Sequence, residues 1–204
     1  MTPGDTRRAD ANRRRILDVA LAELLRDPDA SMDRIARAAG VVRRTVYGHF
    51  PSRDALVGTL VDEAVTALAA AHAAGRAGAG DPAEALARSV LAVWPIADRY
   101  RLLAAPARRT VTSRGVRERL SPVREDRVRL LRRGLEEGAF ASPLSAPALA
   151  RVHEQILVAL MEAVDEGLLD AREAGRSAAV TVLTAAGVPA HLATALVARA
   201  SGSG

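Results

Sequence analysis

Residues 41–54 concentrate side chains that can bind the bases and phosphates of a nucleic acid. A helix over this segment would expose five of them, namely Arg43, Arg44, Thr45, Tyr47 and His49. Guanidinium, hydroxyl and phenol groups donate hydrogen bonds to base edges and phosphate oxygens when a helix enters the major groove. The same pattern is also typical of a plain helical hairpin with a solvated basic face. The spacing alone does not separate these two interpretations.

Two short helices and a tight turn must position these side chains. Ser31 can cap the first helix, and Ile35 and Ala36 would face inward from it. Ala36 is small enough for a second helix to cross closely. Gly40 falls where the turn needs a positive φ, which glycine adopts at little cost, and Val46 would pack the second helix back onto the first. This pattern predicts a helix-turn-helix.

The residues that follow strengthen the prediction. Residues 47–56, Tyr-Gly-His-Phe-Pro-Ser-Arg-Asp-Ala-Leu, resemble the end of the DNA-binding domain of the tetracycline-repressor (TetR) family, and the resemblance covers about residues 12–60. It implies DNA contacts by the five side chains above, together with Ser31 and Arg53. Val42 departs from the family, because Ser or Thr usually caps the recognition helix there, and valine has no oxygen for the free N–H groups.

Composition agrees with a polyanionic partner. The net charge is +5, and the chain contains 29 arginines and no lysine. Residues 1–58 hold eleven Arg and eight acidic residues, so the basic excess is denser toward the N-terminus.

The chain has no cysteine, which excludes disulfides and thiolate chemistry. No uncharged apolar run reaches the roughly 18–20 residues of a membrane span, so we expect a cytoplasmic protein without membrane contact.

The rest of the chain is predicted to be helical, because Ala, Leu, Arg and Glu dominate and β-branched alternation is nearly absent. Residues 1–9 are expected to form a flexible arm. Helices are then expected at the following approximate positions: 10–26, 52–74, 81–94, 96–104, 114–137 with a break near Pro122, 146–167, 172–186 and 189–200. Pro95 should kink or interrupt the helix there. The segments 75–80, 106–113 and 138–145 are predicted to be a joint, a loop and a turn.

The resemblance implies an all-α fold of about nine helices. Residues 10–58 would form the helix-turn-helix domain, with a connecting helix to about residue 74, and residues 81–200 the ligand-binding and dimerisation domain. The expected function is a repressor that binds a palindromic double-stranded operator as a homodimer and is released by a small-molecule effector. Dimerisation would use about 146–167 and 181–200. The alternative is a helical binding module whose basic hairpin contacts proteins or nucleic acid without sequence specificity.

Catalytic, metal and cofactor sites are not indicated by the sequence. His72, His153 and His191 are far apart and lack metal-ligand spacing, and no glycine-rich phosphate loop follows a strand. An effector pocket is expected in the C-terminal domain, where Trp94 and Tyr100 would supply stacking area and a polar tip. The expected pocket residues are Val90, Leu91, Trp94, Tyr100, Leu103, His153, Leu157 and Met161. Core packing explains these residues equally well.

Overall fold

The computed structural model describes the backbone of residues 3–100 and 118–202, and the side chains of these residues from Arg8 onward. These residues form nine helices and no strand, which confirms the predicted all-α fold. The helices are α1 Pro3–Arg26, α2 Met32–Ala38, α3 Arg43–His49, α4 Arg53–Arg76, α5 Pro82–Tyr100, α6 Ser121–Glu136, α7 Ala146–Asp165, α8 Ala171–Ala185 and α9 Ala190–Ser201.

The described residues fall into two compact units. The first contains the chain up to Val65, together with Tyr100 and residues 118–119, and the second contains residues 66–99 and those from Leu120 onward. The division therefore falls inside α4, between Val65 and Thr66.

The first unit is built on α1, α2, α3 and the first half of α4. Each helix contributes one apolar stripe to a shared core, as the periodicity predicts. The core includes Ile16, Leu17 and Leu24 of α1, Ile35 and Ala36 of α2, Val46 of α3, Phe50, and Leu56 and Leu60 of α4. The buried stripes leave the opposite faces of α2 and α3 in solvent, where a ligand can reach them.

The second unit packs α6 against α7, α7 against α8 and α8 against α9. Its core joins residues of α5 to these four helices, with Leu86, Leu131, Leu149, Val182 and Leu183 fully buried. Glycines allow unusually close approaches in this unit. A Cβ atom added to Gly75 would lie 2.6 Å from the Cα atom of Ser89, and one added to Gly134 would overlap the Phe140 ring.

Two element boundaries at the N-terminal side differ from prediction. α1 already begins at Pro3, so the backbone of residues 3–9 is helical where a flexible arm is expected. Proline is favoured at the first position of a helix, because its φ is already helical and its missing N–H has no intrahelical partner there. α4 likewise continues through Gly75 to Arg76, beyond the expected end at Ala74.

Pro95 was expected to kink or interrupt its helix, but it does not interrupt it. α5 runs through it from Pro82 to Tyr100, and the expected separate helix 96–104 is the continuation of α5 as far as residue 100. Val90, Val93 and Trp94 are buried just before the proline, so packing offsets the lost backbone hydrogen bond. Residues 101–117, which contain the expected loop 106–113, lie outside the described residues.

The predicted dimerisation segment 181–200 is not one helix. It spans the end of α8, a turn at residues 186–189 and most of α9. Gly187 has a φ of +91°, which ends α8, and Pro189 then precedes the first residue of α9. The other predicted segment, 146–167, corresponds to α7, which ends at Asp165.

α4 is long and apolar enough to cross a membrane by length and composition alone, with a mean hydropathy of 1.3 over 18 residues. This criterion admits up to two charged residues, and Asp62 and Glu63 lie within the segment, so the uninterrupted apolar run sought in the sequence is still absent from α4. Leu56, Val57 and Leu60 of α4 are nonetheless buried in the first core. We therefore interpret α4 as a core helix of the fold.

Candidate nucleic-acid interface and buried polar cluster

The helix-turn-helix forms as the sequence predicts. Ser31 accepts a hydrogen bond from the backbone N–H of Arg34 at 3.2 Å and caps α2. Gly40 has a φ of +63° in the turn. Val42 precedes α3 without a side-chain cap, and its own side chain is 60% exposed. The first N–H groups of α3 therefore receive no side-chain hydrogen bond from Val42, and this end of the helix carries a partial positive charge.

The exposed face of α3 carries three of the five side chains expected there. Arg43, Arg44 and Tyr47 are exposed, whereas Thr45 and His49 are half-buried. The guanidinium carbon of Arg43 lies 5.1 Å from the centroid of the Tyr47 ring, so the two side chains stack. The exposed face of α3 thus presents the guanidinium of Arg44 and that of Arg43, which is stacked on the phenol ring of Tyr47.

Arg43 also forms an ion pair across the hairpin. Its Nη1 atom lies 2.9 Å from Oδ2 of Asp33 on α2, and both side chains are at least half exposed. An exposed pair of this kind contributes about 0–1 kcal/mol to folding. Its main effect is to place an anion beside the basic face, which lowers the local positive potential.

Arg53 is placed differently from the expected phosphate contact. Its guanidinium is half-buried and donates to the backbone carbonyl oxygens of Pro28 and Ala30, at 3.4 Å for the second. These bonds tie the loop between α1 and α2 to the first turn of α4. Sequence reasoning missed this role, because the residues that Arg53 binds are more than twenty positions away along the chain. Ser31 likewise has a structural role, as the cap of α2.

The residues expected to line an effector pocket do not all meet. Val90, Trp94 and Leu157 are buried in the core of the second unit, and Leu91 and Met161 pack against it. Tyr100, the last residue of α5, packs instead against the core of the first unit. Leu103 lies outside the described residues. Tyr100 therefore packs against a different core from Val90, Trp94 and Leu157, and the effector pocket itself stays a prediction.

His153 is fully buried, and the second unit buries two further polar groups that sequence reasoning did not single out as site residues. His72 on α4 is 1% exposed, and Arg127 on α6 is 5% exposed. Both ring nitrogens of His72 and of His153 lack a hydrogen-bond partner among the described residues. Arg127 sits in the charged run 124–133, which is typical of a solvated face, so no sequence signal marked it as buried.

The buried histidines are held in the neutral form. Burial, with the positive charges of Arg127 and Arg76, lowers the pKa of His72 from 6.5 to about 4, against a smaller opposing effect of Asp126. Burial and the charge of Arg127 lower the pKa of His153 from 6.5 to about 3. Burial also lowers the pKa of Arg127, although Glu154 opposes this. The second unit thus contains a buried, electropositive polar cluster.

The cavities formed by described residues share little with the expected pocket. The largest of those seen, about 680 Å³, lies in the second unit, where Leu91 and Leu196 face Asp81, Glu84, Arg88 and Arg199. A smaller one of about 200 Å³ lies beside His72, Val123 and Asp126. Among the described residues, no group of three His, Asp or Glu side chains has an arrangement that could hold a metal ion.

Comparison with known families matches the helix-turn-helix region. The family described as "Bacterial regulatory proteins, tetR family" matches residues 16–60, which run from α1 into α4. No curated protein matches the chain.

Solved structures match over most of the chain. RolR, solved in complex with resorcinol, is 20% identical with a TM-score of 0.62, over 95% of this chain and 96% of its own. LfrR from Mycobacterium smegmatis, in complex with proflavine, is 24% identical with a TM-score of 0.66, over 85% and 96%. KstR2 of Mycobacterium tuberculosis, a ketosteroid transcriptional regulator, is 22% identical with a TM-score of 0.67, over 84% and 93%.

These matches agree with the sequence motif and with the geometry of α2 and α3. The N-terminal domain is thus similar to the tetR family of bacterial regulatory proteins over residues 16–60, and the all-helical fold of the chain is similar to the folds of RolR and of the TetR-like regulator LfrR.

Proposed function

We propose that the protein is a ligand-responsive transcriptional repressor that binds a palindromic DNA operator as a homodimer. The observation that carries this proposal is the exposed face of α3, where Arg43, Arg44 and Tyr47 project from a packed helix-turn-helix. Arg44 forms no ion pair with a described residue, so its guanidinium is available for a bidentate bond to a guanine or a phosphate.

Dimerisation follows from the size of the recognition element. α3 has seven residues, and one such helix reads too few base pairs for a selective site. The second unit exposes apolar side chains on the helices expected to pair, including Val152 and Val158 on α7 and Leu192 on α9. A second copy would cover such residues, and its α3 would read the other half-site. We therefore propose α7 with the segment 181–200 as the dimer interface.

Release by a small molecule is the regulatory part of the proposal. RolR and LfrR are described in complex with resorcinol and proflavine, so this fold accommodates small organic ligands. A ligand that binds the DNA-free protein more tightly than the DNA-bound protein must weaken operator affinity by the same factor. The site of such regulation is the cytoplasm, where the operator is located.

The test selects binding sites from random DNA duplexes with the full-length protein and measures the best one by gel shift. We expect a palindromic site, one dimer per site, and a loss of about 1–3 kcal/mol in binding for Arg44→Ala. Arg172→Ala is the matched control, because Arg172 is exposed on α8 in the second unit and should leave binding unchanged. If no sequence is enriched, or if Arg44→Ala and Arg172→Ala bind the selected site with equal affinity, the result supports the alternative of a non-specific binding module.

A further inference from the structure

The positive charge of the first unit is concentrated before the helix-turn-helix. Residues 1–15 hold five arginines and two aspartates, whereas residues 16–58 hold six arginines and six acidic residues. The segment that contains α2 and α3 therefore has no net charge of its own. Neutralisation of phosphates by cations supplies essentially all of non-specific DNA binding and a large share of specific binding. A helix-turn-helix without net charge leaves most of this task to cations elsewhere in the unit.

The basic part of α1 contributes no described side chain to the core. Among residues 8–15, seven side chains are exposed and Asn12 is half-buried, and the core of the first unit begins at Ile16. The backbone is nevertheless helical from Pro3 onward, so residues 3–15 form about 20 Å of helix. We call residues 3–15 the basic half of α1. Its exposed arginines can bind a partner without any change in the packing of the unit.

Most of the described arginines in the basic half lack an acidic partner. Arg8, Arg13 and Arg15 form no ion pair with a described residue, and Nη2 of Arg15 donates to the side-chain oxygen of Asn12 at 3.3 Å. Arg14 forms two long ion pairs, of 3.7 and 3.8 Å, with carboxylates of α1 and α4. The basic half thus presents cations whose charge is not neutralised within the protein.

The arginines that follow in the same unit are neutralised to a larger extent. Arg26 and Arg34 share the carboxylate of Glu23, and Arg43 pairs with Asp33. Half of the six arginines between residues 16 and 58 are therefore paired with acids. This contrast shows that the unpaired positive charge of the unit lies mainly on α1.

Arg13 places the basic half beside the recognition helix. Its guanidinium carbon lies 5.4 Å from the centroid of the Phe50 ring, and Phe50 directly follows His49, the last residue of α3. The Phe50 side chain is 2% exposed, so the ring is fixed in the core and Arg13 is held at the end of α3. The major groove is about 12 Å wide, so the end of a short helix lying in it is close to one of the two bordering backbones.

We propose that the basic half of α1 binds phosphates of the DNA strand that borders the groove read by α3. This inference rests on the proposed function, because it adds a second contact surface to the same complex. Guanidinium groups match phosphate oxygens with paired N–H donors, and contacts to phosphate carry no sequence information. The basic half therefore supplies affinity that depends on salt, while the exposed side chains of α3 supply the choice of sequence.

The test measures affinity for the selected operator and for an unrelated duplex of the same length at several salt concentrations. The readout is the slope of log binding constant against log salt concentration, which becomes shallower by about 0.9 for each phosphate contact that is lost. One variant carries Arg8→Gln with Arg15→Gln, because residues seven apart share a face of the helix. We expect its slope to fall by about two units, and its affinity at about 0.1 M salt to fall about 10- to 100-fold on both duplexes alike. Arg13→Gln should lower the slope by about one unit.

Arg26→Gln is the matched control for Arg13→Gln. It removes the same charge from the other end of the same helix, and Glu23 keeps Arg34 as its partner. Its slope should equal that of the wild type. Glutamine forms helices about as well as arginine, and all four side chains are exposed, so the variants should keep the helix content of the wild type by circular dichroism.

Three results would overturn the proposal. A slope reduced as much by Arg26→Gln as by Arg13→Gln would mean that net charge alone matters. An unchanged slope for the double variant would leave at most a single contact at the end of α3, and the basic half would then be a solvated surface. A changed sequence preference with an unchanged slope would assign these arginines to bases.

The proposed function fails on a different observation. If the wild type binds the selected operator no better than the unrelated duplex, sequence-specific repression is wrong, whatever the variants do. Shallower slopes of the α1 variants would in that case still support the phosphate-binding surface, as part of a non-specific binding module. If the wild type is selective and the slopes do not change, the repressor proposal stands and the role of the basic half is wrong.

Discussion

Acidification should destabilise the second unit well before its carboxylates are protonated. His72 and His153 have a pKa of about 4 and about 3 in the folded protein and 6.5 when unfolded. Because their pKa is lowered in the folded protein, the unfolded state binds more protons below pH 6.5, and the free energy of unfolding decreases as the pH is lowered. Each pKa unit is worth about 1.4 kcal/mol, so at pH 5 each histidine costs about 2 kcal/mol, and the two together about 4 kcal/mol.

Urea unfolding at pH 7.5, 6.5, 5.75 and 5.0 checks this magnitude, at one protein concentration because a dimer's stability depends on concentration. His153→Leu, which keeps a side chain of similar size and removes the titrating ring, should lose about half of the pH dependence. His191→Gln is the control, because His191 is exposed on α9 and should change nothing. An unfolding free energy that stays constant from pH 7.5 to 5.0 would show that the imidazoles are not buried as described.

Three further predictions concern single side chains. Arg53→Ala should lower the unfolding free energy by about 1–2 kcal/mol, because it loses the hydrogen bonds to the α1–α2 loop, and it should change the salt dependence of DNA binding little. If stability is unchanged and the slope of log binding constant against log salt concentration falls by about one unit, Arg53 contacts phosphate as the sequence predicts. Asp33→Asn removes the ion-pair partner of Arg43 and should tighten binding of any DNA duplex a few-fold in gel shifts at low salt. Unchanged or weaker binding would be evidence against the exposed face of α3 as the DNA-binding surface. Gly187→Ala should cost about 2–3 kcal/mol in urea unfolding, because of its positive φ and an overlap with a backbone carbonyl, whereas Gly202→Ala should be nearly neutral; equal effects would refute the turn geometry.

The helix-turn-helix was predictable because its determinants are local. Ser31, Ala36, Gly40 and Val46 lie within sixteen residues, and each acts through its immediate neighbours: a cap, a close crossing, a turn and a packed side chain. The exposed side chains of α3 follow from the same periodicity.

The polar interior of the second unit was not predictable in the same way. Helical periodicity shows which face of a helix is apolar, but it does not show which helices meet. Arg127 has six charged neighbours within residues 124–133, and its burial depends on the packing of α6 against α7. The packing of Tyr100 against the first core has a related cause, because membership of a core depends on contacts distant in sequence.

The contact at Gly75 has a mechanical consequence. The backbones of α4 and α5 meet there with no side chain between them, since even a Cβ atom would lie 2.6 Å from the Cα atom of Ser89 and 2.7 Å from the carbonyl oxygen of Arg88. Side chains between helices can change rotamer and absorb a displacement, whereas two backbones in contact cannot. A shift of α5 toward α4 at this point must therefore displace the end of α4 by almost the same distance, so the junction transmits compression with little loss.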